Sequence, residues 1–321
     1  MQRAALLYNP DSGRSGQKRL KALESALAVL RGAGVTAELI PTETRDEAGQ
    51  QAQRAIDSGC DTIFACGGDG TIHNIVQVLA HSTAALGILP MGTANALAHD
   101  LGIPNDLERA AKAAVRGVPR RVAVGHVRFV DLRGNPGSRF FTITAGMGVD
   151  AHLFYKLLTA TKRRMGMVAY YAKAWNLWFS YPMTRFSAEY LETDSDEPGR
   201  AEVTELMCVR IQNFGGVVKE LAPGASLDRN DMRAVVCRTS ARLAYLAYVT
   251  RGLLRRRWQI PGIELVHCTK VACGYLEGSS RRDGTKRIYV EADGELVGTL
   301  PAEMTVVPDA LTILAPKREG Q

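Results

Sequence analysis

The chain has 321 residues, of which 46% are hydrophobic, and its 40 basic and 33 acidic residues give a formal net charge of +7. This length exceeds that of one average domain, and the composition is ordinary for a globular protein with a real core. The N-terminal apolar run is too short for a signal peptide, and the uncharged stretch 70–99 carries too many polar side chains for a spanning helix. These features exclude a secreted or membrane-spanning chain, so we expect a soluble cytoplasmic protein.

Strand and helix patterns alternate through the first 119 residues. We predict strands at 3–8, 35–42, 62–68 and 85–90, and helices at 17–31, 45–57, 71–80, 93–100 and 106–116. This alternation is typical of right-handed crossovers and a parallel sheet. The sequence therefore predicts an α/β domain over residues 1–119.

The pattern becomes β-rich after Pro119. Segments such as "RFFTITAG", "ELMCVRIQNF" and "KRIYVEADGE" read as strands, and helical patterns interrupt them near 152–180 and 240–255. We predict a mainly β sandwich over residues 120–321, with mobile segments at 194–200 and 317–321. Six cysteines form no CxxC pair, which is typical of buried free thiols in a reducing compartment.

Charge is unevenly distributed along the second half. The acid-free stretches 151–188 and 232–263 carry six and seven basic residues, so the rest of the chain is at −6. Both stretches are rich in aromatic or apolar residues; the second has Leu243, Leu246, Leu253 and Leu254 at helical spacing, then three arginines and Trp258. This pattern suits docking at an anionic bilayer. The alternative, apolar faces in the core with arginines at a solvated rim, stays open.

Three glycine-rich turns follow predicted strands in the first half: "NPDSGRSG", "CGGDGT" and "PMGTAN". In a parallel sheet they would emerge at the same carboxyl edge, where ligands bind. The first lacks the spacing of a P-loop, and the second is not GxGxxG because His73 replaces the third glycine. One such loop alone would be an ordinary turn, but three together favour phosphate binding.

The segment "EADGELVG" places three carboxylates close together, at Glu291, Asp293 and Glu295. On a single strand these alternate residues would project from one face. Alternatively, Asp293 and Glu295 flank a turn at Gly294 and converge on one point. In either geometry, clustered carboxylates suit general-base chemistry. A further alternative is that Asp-Gly is an ordinary hairpin turn, and the sequence leaves these possibilities open.

Several motifs, taken in order, resemble the diacylglycerol kinase catalytic family, especially bacterial soluble lipid kinases and sphingosine kinase relatives. They are "GGDGT", "LPMGTANALAHDLGIP", "AGMGVDA", "QNFGGVVKELAPGASLD" and "EADGE", and they extend over nearly the whole chain. The resemblance implies an N-terminal nucleotide-binding domain and a C-terminal β-sandwich, with ATP in the cleft between them. It also implies ATP- and Mg²⁺-dependent transfer of a phosphoryl group to a lipid hydroxyl.

The resemblance also implies roles for individual residues. Asp69 would reach a Mg²⁺ ion that bridges the phosphates, although it could instead cap the following helix. Thr42 and Thr93 likewise have helix capping as an alternative role. The proton acceptor would lie in the "DGE" motif, as Glu295 or Asp293. The implied nucleotide contacts are Asn9, Asp11, Ser12, Gly13, Thr42, Gly67, Gly68, Asp69, Gly70, Thr71, Ile72, His73 and Thr93.

The sequence departs from the family pattern at several positions. The family's structural Mg²⁺ loop reads "APGASLDRNDM" here, with Arg229 and Asn230 in place of an Asp-Gly pair, which leaves Asp228 and Asp231 as candidate metal ligands. Asn74 and Ala96 stand where relatives commonly have carboxylates.

We interpret the chain as a cytoplasmic, peripherally membrane-associated lipid kinase that uses ATP and Mg²⁺. We expect a lipid substrate and an anionic membrane surface as partners, and no nucleic acid. The oligomeric state, a homodimer included, stays open. Two alternatives are an NAD kinase, which shares "GGDGT", and a catalytically weak protein that senses a nucleotide or a lipid.

Overall fold

Four short apolar strands pair in parallel in the first part of the chain: β1 (Arg3–Tyr8), β2 (Thr36–Pro41), β3 (Thr62–Gly67) and β4 (Ala85–Pro90). Their order in the sheet is β2-β1-β3-β4. Every residue of β3 and β4 is buried, as expected for strands covered by helices on both faces.

The structure is a computed structural model that describes residues 1–10, 16–42, 47–149, 183–215, 220–254, 258–277 and 287–316. The helices of the first part are α1 (Gly16–Gly32), α2 (Glu47–Asp57), α3 (Asp69–Leu79), α4 (Ala96–Asp100) and α5 (Leu107–Arg116). Small side chains let them approach the sheet closely; α2 and α5 each bury a row of alanines. Asp106 is the N-cap of α5 and accepts a hydrogen bond from the Arg109 amide at 2.9 Å.

Strands dominate the rest of the chain. They are β5 (Val118–Val130), β6 (Pro136–Phe141), β7 (Thr144–Gly148), β8 (Phe186–Glu192), β9 (Pro198–Val203), β10 (Glu205–Val209), β11 (Met232–Cys237), β12 (Ile263–Gly274), β13 (Tyr289–Ala292) and β14 (Glu295–Ala315). The helix α6 (Arg242–Leu254) follows β11.

By its contacts, the chain divides into two compact units. Unit 1 comprises Met1–Val124, Asn213–Gly216 and Val307–Gln321, and unit 2 comprises Gly125–Gln212 and Val217–Val306. The sequence-based division used a single boundary after residue 119. The two differ because the end of β14 returns to unit 1, where Thr312 pairs with Ala85, and Ile313 with Leu86, in parallel with β4.

Unit 2 is a β-sandwich of antiparallel pairs. Strands β13, β7, β10, β11, β12, β8 and β9 pair in that order, and β13 also pairs with β14. The second half of β12 lies between β8 and β14. Alternate residues of these strands face a common core that includes Phe141, Phe186, Met232 and Met304.

The predicted fold class is confirmed: an α/β unit with a parallel sheet and a β-sandwich unit. The predicted helix near 240–255 is present as α6. The expectation that residues 194–200 are mobile is wrong for its last three residues, because β9 begins at Pro198 and pairs with β8. The helical pattern near 152–180 and the tail 317–321 lie outside the described residues.

All six cysteines are free and buried, as predicted. Burial raises the pKa of the Cys66, Cys208 and Cys273 thiols. Within the described ranges, no helix combines the length and the apolar character that crossing a bilayer requires.

Candidate functional site

Two of the glycine loops meet at the carboxyl ends of β3 and β4. A Cβ atom on Gly92 would lie 2.5 Å from the Cα of Gly68, a separation that no side chain permits. The backbone N–H of Met91 donates to the carbonyl of Gly67 at 2.9 Å. The "GGDGT" and "PMGTAN" segments therefore form one continuous backbone surface, as predicted for loops at one edge of a parallel sheet.

The turn in "PMGTAN" is fixed by Asn95. This residue has a φ of +49°, is buried, and is the N-cap of α4. Its Oδ1 accepts a hydrogen bond from the Gly92 N–H at 2.9 Å, and its Nδ2 donates to the Gly92 carbonyl at 3.0 Å. Thr93 lies within this turn with an exposed side chain, and it is not the cap of the helix. Ala96 begins α4 and is buried.

Asp69 is the first residue of α3. The N-cap is Gly68, with no side-chain cap hydrogen bond, so the alternative that Asp69 caps a helix beginning near Thr71 is wrong. The carboxylate is partly buried and belongs to the first helical turn, where amide groups have no acceptor within the helix. Asp69 therefore lies at the junction of β3 and α3, beside the surface formed by Gly68 and Gly92.

The rest of the predicted "GGDGT" span has two kinds of environment. A Cβ on Gly67 would lie 2.4 Å from the hydroxyl oxygen of Thr71, so glycine allows Thr71 to fold over the end of β3. The side chains of Ile72 and His73 are buried on the inner face of α3. A nucleotide contact from these two residues would therefore have to use their backbone.

The other predicted nucleotide contacts follow β1 and β2. The Thr42 amide donates to the Tyr8 carbonyl at 2.7 Å, and the Thr42 side chain is buried. Asn9 is partly exposed directly after β1. Asp11, Ser12 and Gly13 lie outside the described residues. Asn74, one of the departures from the family pattern, lies on α3 where its carbonyl is 3.1 Å from a Cβ built on Gly49.

A cavity of about 430 Å³ opens beside "PMGTAN" in unit 1. Lys18 and Arg19, from the first turn of α1, line it together with Gly92, Thr93 and His99. The Arg19 guanidinium also donates to the Met91 carbonyl at 3.3 Å. Sequence reasoning missed these two cations. Their position directly after the first glycine loop was the available signal.

The "QNFGG" segment contacts α4 within unit 1. The backbone N–H of Asn213 donates to the Asp100 carboxylate at 2.9 Å, and the Gly215 N–H donates to the Asn213 side chain at 3.1 Å. Gly215 has a φ of +68°, and a Cβ there would lie 2.3 Å from the His99 ring. Two motifs that are 113 residues apart in the chain therefore form one packed cluster.

The "EADGE" segment is a hairpin. Asp293 and Gly294 have φ values of +49° and +80°, which is typical of a type I′ turn between β13 and β14. The alternative in which three carboxylates project from one strand face is wrong, because Asp293 lies in the turn and Glu291 and Glu295 lie on different strands. The hairpin alternative is correct.

Two of the three carboxylates of this hairpin are buried and bound to protein groups. Asp293 accepts hydrogen bonds from the amides of Thr142, Ile143 and Thr144 at 3.0, 2.8 and 3.1 Å. Glu291 is fully buried and accepts from the Gly294 amide at 2.8 Å. Glu295, the first residue of β14, is partly exposed. Of the three acids, Glu295 therefore has the side chain that a substrate in solvent can reach most readily.

The loop predicted to hold a structural metal does not fit one. Asp231 is buried, and its oxygens bind Arg229, Thr193 and His267, the last two at 3.1 and 3.2 Å. Burial opposes its charge, but the hydrogen bond from Arg229 and the nearby His267 outweigh burial and hold the pKa of Asp231 below its usual range. Asp228 is exposed. In the described part of the chain, no group of three or more metal-ligating side chains is placed to hold an ion.

Two family models cover most of the chain. Residues 3–127 match the diacylglycerol kinase catalytic domain, and residues 143–315, more than half of the chain, match the YegS C-terminal NAD kinase beta sandwich-like domain. The chain therefore belongs to the family of the YegS C-terminal NAD kinase beta sandwich-like domain, and its first part matches the diacylglycerol kinase catalytic domain. The two matched domains correspond to the α/β unit and the β-sandwich unit described above.

Individual relatives agree with this assignment. The chain is 28% identical to the diacylglycerol kinase of Bacillus subtilis over 326 residues, which cover 100% of this chain and 99% of the relative. It is 28% identical to that of Staphylococcus saprophyticus, over 98% of this chain and 95% of the relative.

Solved structures of low sequence identity share the fold. A diacylglycerol kinase from Bacillus anthracis superposes with a TM-score of 0.69 at 17% identity, covering 98% of this chain and 96% of that one. Yeast NADH kinase complexed with NADH gives a TM-score of 0.54 at 9% identity, covering 99% of this chain and 84% of that one. These likenesses concern the fold alone.

Proposed function

We propose that this chain is a kinase that transfers the terminal phosphoryl group of ATP to a lipid hydroxyl, such as that of diacylglycerol or a sphingoid base. The main support for the proposal is the close approach of the Gly68 and Gly92 backbones beside Asp69. Phosphate groups bind at helix N-termini where no Cβ prevents close approach, and the start of α3, which Gly68 and Gly92 flank, offers such a place. The family membership supports the same chemistry.

ATP would bind as its Mg²⁺ complex. Magnesium is usually held by one or two carboxylates together with substrate phosphates, and the single carboxylate of Asp69 at the phosphate-binding edge fits that donor set. When bound, the ion neutralises negative charge on the migrating phosphoryl group. Lys18 and Arg19 line the cavity next to Gly92 and would add positive charge from the protein.

Glu295 would accept the proton of the lipid hydroxyl. A general base must come within hydrogen-bond distance of the proton it removes. Asp293 and Glu291 are buried, and their oxygens already accept hydrogen bonds from the backbone. Glu295 begins a strand directly after a rigid turn and is partly exposed, which supports its assignment as the base and assigns Asp293 a positioning role.

A lipid substrate requires the enzyme to bind at a membrane surface. The exposed apolar face of α6 is the surface that we propose for this binding. Leu243, Leu246, Leu253 and Leu254 are 79, 40, 37 and 58% exposed, whereas Tyr245 and Tyr248 on the other side are buried. An exposed apolar stripe on a helix without acidic residues, followed in the sequence by three arginines, is typical of helices that lie in the plane of an anionic bilayer. Arginine adds attraction of about 1 kcal/mol per residue near such a surface.

A phosphoryl-transfer assay with labelled ATP tests the proposal. The acceptors are a panel of lipids in mixed micelles, with NAD as a separate acceptor. Transfer to a lipid is the expected result. Transfer to NAD alone would instead support the NAD kinase alternative, and ATP binding without transfer to any acceptor would support the sensor alternative.

A matched pair of variants tests the role of Asp69. Asp69→Asn removes the charge from the start of α3, and we expect a fall in turnover of at least about 100-fold with little change in thermal stability. Asp106→Asn makes the same change at the start of α5, where asparagine is an equally good N-cap, and should retain full activity. Equal activity of the two variants would exclude a role for Asp69 in transfer.

A further inference from the structure

The loop from Leu227 to Asp231 surrounds a buried guanidinium group. Arg210 follows β10 directly, and its side chain is fully buried. One of its terminal nitrogens donates to the Leu227 and Arg229 carbonyls at 3.3 and 2.9 Å, and the other donates to the Asp231 carbonyl. Three carbonyls at alternate positions of one loop thus point at a single positive charge.

A second cation, Arg229, binds the carboxylate of Asp231. Among the described residues of this loop, Asp231 is the one with a buried carboxylate. The Arg229 Nε donates to Asp231 Oδ1 at 2.7 Å, and its Nη2 donates to Oδ2, so the pair is bidentate. His267 Nδ1 lies 3.2 Å from Oδ1, and the Thr193 hydroxyl donates to Oδ2 at 3.1 Å. Each oxygen of Asp231 therefore has two protein partners.

Converging carbonyls and a carboxylate are the donor set of a hard divalent cation in proteins. A guanidinium is the side chain best suited to take the same place, because it is planar, permanently charged and carries five N–H donors. Burial lowers the pKa of Arg210 to about 10, which still leaves it positively charged at neutral pH. The positive charge that the carbonyls require is therefore supplied by the chain itself.

We propose that Arg210 and Arg229 replace a structural divalent cation in this loop, so that unit 2 keeps its fold without bound metal. The carbonyls bind Arg210 and the carboxylate binds Arg229, which leaves no oxygen cage for an ion. This separates two possible effects of Mg²⁺ on the protein. Magnesium would act with the nucleotide during phosphoryl transfer and would not stabilise the β-sandwich.

Metal analysis and thermal unfolding of the full chain test the proposal in the absence of nucleotide and lipid. Protein dialysed against EDTA is compared with protein in excess Mg²⁺, Ca²⁺ or Mn²⁺. An ion that binds the native state at 100 times its dissociation constant would raise the melting temperature by about 5–10 °C. We expect no shift and no retained metal. One retained equivalent, or a saturable rise that Asp231→Asn abolishes, would overturn the proposal.

Substitutions of the arginines provide a second, independent measurement. Arg210→Met leaves three buried carbonyls without their donor, and we expect its melting temperature to fall by about 10 °C or more. Arg200→Met is the matched control, since Arg200 is 77% exposed in its pair with Glu189. If Arg210→Met does not fold, Arg229→Ala is used in its place. This substitution removes only the bidentate pair with Asp231, and we expect a smaller fall in melting temperature. A melting temperature of either variant equal to that of the control would contradict the proposal.

Discussion

Asp293 binds Ile143 across 150 positions of sequence: the backbone N–H of Ile143 donates to the Asp293 carboxylate at 2.8 Å. The amides of Thr142 and Thr144 donate to the same carboxylate. Thr142 and Ile143 lie between β6 and β7, where the backbone is not part of a strand, and the Asp293 carboxylate accepts their amide hydrogen bonds instead. The turn that precedes Glu295 is therefore fixed by a second segment of the sandwich.

Substitutions in "DGE" should separate a positioning role from a catalytic one. Asp293→Ala leaves three buried amides without an acceptor, so we expect both the melting temperature and kcat to fall. Glu295→Gln keeps the shape of a partly exposed side chain, so we expect kcat to fall by about 10²–10⁴-fold with an unchanged melting temperature. Calorimetry and single-turnover kinetics measure the two quantities. A Glu295→Gln enzyme with normal turnover would remove this residue as the base.

Glycine at position 92 should be essential for nucleotide binding. A Cβ in Gly92→Ala would lie 2.5 Å from the Gly68 Cα and 2.7 Å from the Asn95 Oδ1, so the two loops must separate. Because small displacements of a binding surface are costly, we expect ATP affinity or turnover to fall by about 100-fold. Gly32→Ala is the control, since no atom lies within 4 Å of a Cβ there. Isothermal titration with ATP measures the effect, and wild-type affinity in Gly92→Ala would contradict a phosphate site at this junction.

Lys18 and Arg19 should bind phosphate rather than the base of the nucleotide. We expect the double substitution to methionine to lower ATP affinity by about tenfold, to weaken its salt dependence and to leave adenosine binding unchanged. Lys21→Met, an exposed position on the same helix, provides the control. Titrations at low and high salt measure these effects. An equal loss for ATP and adenosine would mean that the change disrupts α1 rather than a phosphate contact.

The exposed leucines of α6 should determine membrane binding. Leu243→Glu combined with Leu254→Glu removes two apolar contacts, each contributing about 1.5–3 kcal/mol when buried. We expect sedimentation with phosphatidylglycerol-containing vesicles to weaken by about 100-fold or more. Leu132→Glu, at a leucine that is 45% exposed elsewhere in unit 2, should sediment as wild type. A changed oligomeric mass with unchanged sedimentation would instead identify the face as a contact between copies.

Glu303 should make stability depend on pH. Hydrogen bonds from Lys270 and Arg128 hold the pKa of Glu303 below its usual value of 4.5. The stabilisation of the fold by ionised Glu303 is therefore complete above the pKa that Glu303 has in the unfolded chain. This stabilisation is lost as the pH falls through the lower pKa that Glu303 has in the folded protein. We expect Glu303→Gln to reduce the free energy of unfolding by about 1 kcal/mol at pH 7, with a smaller difference below about pH 4.

Urea unfolding at both pH values measures this difference. Glu202→Gln, which removes a more exposed partner of a 3.8 Å pair with Arg185, should show no such dependence. A constant difference between the Glu303 variant and wild type across the two pH values would show that packing rather than charge carries the effect.

Much of unit 1 could be predicted from the sequence because local patterns determine it. The observed β1 and β4 have the predicted bounds, and α5 is displaced by only one residue at its start. The glycines that follow each strand predicted the edge where the loops gather. Lys18 and Arg19 were missed although they directly follow the first glycine loop, and their position beside Met91 becomes visible only in the folded sheet.

Unit 2 was harder to predict because its boundaries depend on distant residues. The pattern "RFFTITAG" reads as one strand, yet the structure has two, β6 and β7. The amides of Thr142 and Ile143 between them donate to the Asp293 carboxylate. The pattern "ELMCVRIQNF" reads as one long strand, yet β10 ends at Val209. The next side chain, Arg210, is buried and donates to the carbonyls of a loop about 20 residues later. No local window of sequence contains these contacts.

All six native cysteines are buried in the folded protein, so we expect them to react slowly with thiol reagents. A single cysteine introduced at an exposed position, such as Leu243, would therefore react first with a maleimide-linked fluorophore or spin label. Distance and polarity at that site could then be followed by spectroscopy during catalysis, with no need to remove natural thiols first.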